Sequence, residues 1–119
     1  MQADGVRTLC LSGSAYVVTC GGEQPYVDDG IVAGLTTTRS RQALYVIVDV
    51  RATRRLGLAA VGLLLDESRS LRSAGGDLWL VASDPRLLGE LTSDGSCRLL
   101  CLEPTLAGAV AAVNERLVA

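Results

Sequence analysis

The chain has 119 residues, enough for one domain with a sizeable core, and 49% of them are hydrophobic, so burial can offset the entropy lost on ordering. The net charge of -2, with Arg supplying all 11 basic residues, excludes a general nucleic-acid binder. Aromatics are scarce (Trp79, Tyr16, Tyr26, Tyr45 and no Phe), so the core must be Leu, Val, Ile and Ala. The start, Met-Gln-Ala-Asp, has no basic region followed by an apolar run and is read as lacking a signal peptide. The longest apolar stretch, Leu56 to Leu65, meets Asp66 and Glu67 and is too short to span a bilayer. The expectation is a cytoplasmic protein without direct membrane insertion, its four Cys reduced.

In chain order, Val6 to Leu11 reads as a strand, Ser12-Gly13-Ser14 as a turn and Ala15 to Cys20 as a second strand, giving a hairpin. Val27, Ile31, Val32 and Leu35 have helical spacing over residues 27–37, although Gly30, Gly34 and the Thr36–Thr38 run oppose a helix. Leu44 to Val50 is continuously apolar, as in a strand covered on both faces. Leu58 to Ala74 reads as a helix with Leu58, Val61, Leu64, Leu65 and Leu71 inward, and Asp66, Glu67, Arg69 and Arg72 outward. Gly75-Gly76 supplies its stop. Leu78 to Ala82 is a further buried strand. Ser83 or Asp84 caps the next helix, with Pro85 in its first turn and Leu87, Leu88 and Leu91 as its apolar face. Cys97 to Leu102 is the last strand, and Pro104-Thr105 opens a final helix bearing Leu106, Ala109, Val110, Val113 and Leu117. The order ββαβαβαβα over residues 1–119 implies a single α/β domain with a mixed, mostly parallel sheet.

Five strings in this order resemble the STAS family (sulfate transporter and anti-sigma factor antagonist) across nearly the whole chain. Ala43 to Val50, with Asp49, is similar to its central strand. Leu56 to Leu64 is similar to the Ile-Asp-Ser-Ser-Gly-Leu-Gly-Val-Leu segment that follows. Gly22-Glu23 matches the Gly-Glu after the second strand, Gly75 to Ala82 the Gly-Gly-x-Leu-x-Leu strand, and Glu103 to Ala112 the start of the last helix. The resemblance implies a protein-binding regulatory module of the anti-sigma factor antagonist kind, without enzymatic activity or cofactor. Its implied partner is an anti-sigma factor with a kinase-like ATPase fold. It also admits an accessory subunit of a lipid or other transport complex. In regulated members a Ser at the start of the second helix is phosphorylated. The matching position here is Ala59, the preceding Ser is Leu58, and the Asp before them is Gly57. The Asp that follows Gly-Glu is matched by Pro25. The resemblance therefore implies a binding surface without the usual phosphorylation switch.

The residues set out a partner surface of Arg54, Arg55, Gly57, Ala59, Ala60, Gly62 and Leu63. A helix that is apolar all round needs a second cover, either a partner protein or a second copy in a homodimer. Arg51, Arg54 and Arg55 read most simply as a solvated loop. With Gly57 at a helix N-terminus they also form a candidate anion site, as a small anionic-ligand sensor would need. Thr53, in Arg-Ala-Thr-Arg-Arg, is an alternative phosphoacceptor, although basic flanks arise by chance in an Arg-rich chain. The four Cys read as small buried hydrophobes, and with no His or Cys-x-x-Cys they suggest neither zinc nor thiol catalysis. Asp28 and Asp29 read as a helix N-terminus, and the glycines fit no nucleotide-binding motif.

Overall fold

The computed structural model describes residues 6–20, 27–53, 56–93 and 100–118. Its elements are β1 (Val6–Ser12), β2 (Ala15–Cys20), α1 (Val27–Ser40), β3 (Tyr45–Asp49), α2 (Leu58–Ser73), β4 (Asp77–Val81), α3 (Pro85–Ser93), β5 (Cys101–Glu103) and α4 (Leu106–Val118). The strands form one sheet in the order β1-β2-β3-β4-β5. β1 and β2 are antiparallel, and the pairs from β2 to β5 are parallel. The order ββαβαβαβα and the mixed sheet match the expectation. Gly22-Glu23 and Pro25 lie outside the described residues, as does the start proposed for the last strand at Cys97; β5 runs on through Glu103.

The three parallel crossovers advance in one direction across the sheet, and crossovers of one hand then put their helices on one face. Ile31 and Leu35 of α1, Ala60, Leu64 and Leu71 of α2, and Leu87 and Leu91 of α3 all pack there against Val18, Val46, Val48, Leu78 and Leu80. On the other face α4 packs through Ala109 and Val113 against Val17, Ile47, Trp79 and Val81. β3 and β4 are covered on both sides, which accounts for their unbroken apolar runs.

α1 runs through the residues that oppose a helix. Gly34 meets β2 so closely that a Cβ there would lie 2.3 Å from a Val18 methyl. The Thr36 and Thr37 hydroxyls donate to the carbonyls of Val32 and Ala33 at 2.8 and 3.1 Å, so they bond along the helix instead of competing with it. α2 ends in a Schellman motif: Gly76 N–H donates to Leu71 O at 2.7 Å and Gly75 N–H to Arg72 O at 3.1 Å, with Gly75 at φ +93°. Asp84 caps α3, its Oδ1 accepting from the N–H groups of Arg86 and Leu87 at 2.9 and 3.2 Å.

Candidate functional site

The site begins where β3 leaves the sheet. Asp49 is buried, and its carboxylate takes both prongs of the Arg51 guanidinium, Nε at 3.0 Å and Nη2 at 2.8 Å, as well as the Arg51 backbone N–H at 3.1 Å. The Asp49 hydrogen bond and charge raise the Arg51 pKa further. Arg51, a member of the candidate anion site, is therefore paired with an internal carboxylate while its side chain stays 44% exposed. Arg54 and Arg55 lie outside the described residues.

The chain then turns, with Thr53 N–H donating to Val50 O at 3.0 Å. Thr53 is buried, and its Oγ1 has no hydrogen-bond partner. The hydroxyl is thus turned inward, not presented at the surface as the alternative phosphoacceptor reading would have it. Gly57 is the N-cap of α2 in extended conformation, without a side-chain cap, and its carbonyl accepts from Val61 N–H at 3.1 Å.

The facing of α2 differs from the sequence expectation. The inward stripe is Ala60, Leu64, Glu67, Ser68 and Leu71, whereas Leu58 is 93% exposed. At about 100° per residue the helix is turned by roughly a quarter revolution from the expected facing. Ala60 is only 2% exposed and packs in the core between α2 and the sheet, so it is not presented to a partner. Glu67 belongs to the core side and not to the outer one. The polar pair Glu67 and Ser68 hides the stripe from a reading based on apolar spacing.

Of the expected surface, Ala59 is exposed and Gly62 opens on free space. Leu63 is half-buried against the core. It also lines a depression of about 150 Å³ with Val32, Leu35, Thr36 and Arg39 of α1. Val32 is 49% exposed. Leu58, Ala59, Gly62, Leu63 and Val32 thus make an apolar strip over the start of α2 and the adjoining side of α1. Reasoning from the sequence missed Leu58 and Val32. Val32 carried a signal, since it adjoins Ile31 and only one of the two neighbours can point to the sheet.

Among the described residues Cys10, Cys20 and Cys101 are free thiols, and no group of His, Cys, Asp and Glu is placed to hold a metal ion. No helix among them is long and apolar enough to cross a membrane.

No family model matches the chain. No curated protein matches it either. Solved structures do. The anti-sigma factor antagonist SpoIIAA in its unphosphorylated form superposes with a TM-score of 0.74 at 18% identity, over 92% of this chain and 96% of that one. The Bacillus cell fate determinant SpoIIAA in its phosphorylated form gives 0.67 at 18% identity, over 91% and 98%. Together with the five-stranded mixed sheet and its four helices, these superpositions show that the chain has the STAS fold of the SpoIIAA anti-sigma factor antagonists.

Proposed function

We propose that this chain is a protein-binding regulatory module, an anti-sigma factor antagonist without a phosphorylation switch. The observation that carries the reading is the exposed apolar start of α2, with Leu58 93% exposed beside Ala59 and the open Gly62. Exposed apolar strips of this kind mark contact surfaces. Small residues at its centre let a partner helix approach closely. The likeness to SpoIIAA supports a regulatory partner, and the resemblance in sequence supports an anti-sigma factor with a kinase-like ATPase fold. Residues 56–65 carry no hydroxyl, so the segment that would hold the phosphoacceptor cannot be phosphorylated.

The test is calorimetric titration against the anti-sigma factors of that fold encoded in the same genome. One of them binds the parent chain, and ATP does not release it. Ala59→Arg or Leu58→Arg weakens binding at least ten-fold while changing stability by only about 0.5 kcal/mol, as surface changes do. Variants that bind as tightly as the parent would place the contact elsewhere. Release by ATP with phosphate appearing on another residue would show that a switch exists.

A further inference from the structure

Glu67 is a charged residue on the buried stripe of α2, only 3% exposed. Arg39 of α1 pairs with it, and the Arg39 side chain is 65% exposed. The pair lines an open cavity of about 440 Å³ between the C-terminal ends of α1 and α2, with Gln42, Leu44, Ser70 and Ala74 in its wall. Gln42, at φ +57°, is the left-handed residue of the Schellman motif that ends α1, its N–H donating to Arg39 O and the Ala43 N–H to Thr38 O, both at 3.0 Å. The negative ends of two helix dipoles meet there.

From this arrangement we infer that the cavity is a binding site for an alkyl guanidinium or primary ammonium group, with Arg39 as its internal occupant when none is bound. The sign follows from what each exchange leaves behind. An anionic ligand would have to draw Arg39 away and strand the Glu67 charge in the interior, which is strongly unfavourable. A cationic ligand takes the place of Arg39 on Glu67 and keeps the buried carboxylate paired. The displaced Arg39 guanidinium moves into water, where most of its side chain already lies. The cavity is within the usual size range of small-ligand sites. The same cationic group can come from a free amine or from an Arg side chain of a partner protein.

The two sources are separated by titrating the ¹⁵N-labelled chain with agmatine and with a capped Gly-Arg-Gly tripeptide. At least one should shift the amide resonances of Leu44, Ser70 and Ala74, and glutarate, a dicarboxylate without an amino group, should shift none at equal concentration. A response to agmatine assigns a free amine. A response to the tripeptide alone assigns a partner's side chain. Arg39→Ala removes the internal competitor and should bind the active probe at least five-fold more tightly, a gain that a purely structural ion pair would not give. Ser70→Trp, at the exposed rim, should block binding without disturbing the fold. Glu67→Gln should also abolish it where circular dichroism shows that the variant folds. Silence of both probes towards the parent and Arg39→Ala alike overturns the inference, and so does an Arg39→Ala variant that gains nothing.

Discussion

At the scale of single residues, the thiols show how position decides chemistry. Cys10 is exposed on the edge strand, its Sγ donating to Ser12 O at 3.1 Å. Cys20 is 1% exposed, and burial, reinforced by the negative charge of Asp49, pushes its pKa up to about 11. Burial and Asp77 also raise the Cys101 pKa, against an opposing effect of Arg72. Neither of these two thiols is set up as a nucleophile. A thiol whose pKa is raised on folding keeps its proton longer in the native state than in the unfolded one. Its contribution to stability is complete below the unfolded-state value of 9.0 and is lost as pH rises towards about 11. Urea midpoints measured across that range should fall, and Cys20→Ala should make the fall shallower even though it lowers every midpoint. Equal slopes would mean that Cys20 does not titrate in this way.

At the scale of elements, most segments are legible in the sequence, because each carries its own start and stop. Asp84 and Pro85 open α3, Gly75-Gly76 closes α2, and the hairpin turn falls at Gly13 as the spacing requires. α1 is longer than its composition suggests because Gly34 serves close packing on Val18 and the threonines bond back to the helix. The rotation of α2 is not legible. Its apolar positions are too numerous to define one face, and the polar residues Glu67 and Ser68 lie on the buried one. Exposure at the start of α2 is therefore legible at Ala59 and Gly62, whereas the burial of Ala60 and the exposure of Leu58 and Val32 are not. Nor does the Arg51 pairing show in the sequence, since it depends on where Asp49 turns out of β3.

Two glycines bounding this part of the chain make the reading of α2 testable by one substitution with opposite results. A Cβ on Gly62 would meet nothing within 4 Å, so Gly62→Ala should stabilise the helix by about 0.5–1 kcal/mol. A Cβ on Gly76 would lie 1.7 Å from Leu44 O. Gly76→Ala must therefore move backbone and should cost more than about 2 kcal/mol. Chemical denaturation reads both, and a Gly76→Ala variant as stable as the parent would show that the turn from α2 to β4 does not lie this close to Leu44.

At the scale of the whole molecule, the sequential strand order puts α1, α2 and α3 on one face and leaves α4 alone on the other. Alternation of strands and helices makes the class of fold legible, but strand order and pairing are settled by tertiary packing. The end of α2 is held firmly. Asp77 at the start of β4 accepts from Arg72 Nε at 3.0 Å and faces Arg116 of α4 at 3.6 Å, which ties both helix layers to the sheet. The start of α2, by contrast, presents apolar residues to solvent. That asymmetry is the basis for placing the partner there. Hydrogen–deuterium exchange of the chain, alone and bound to the anti-sigma factor proposed as its partner, tests it most directly. Slowed exchange should fall on residues 56–65 and on α1 around Val32, with α4 and β1 unchanged. Protection confined to α4 or to β1, with the start of α2 exchanging as in the free chain, would contradict the account.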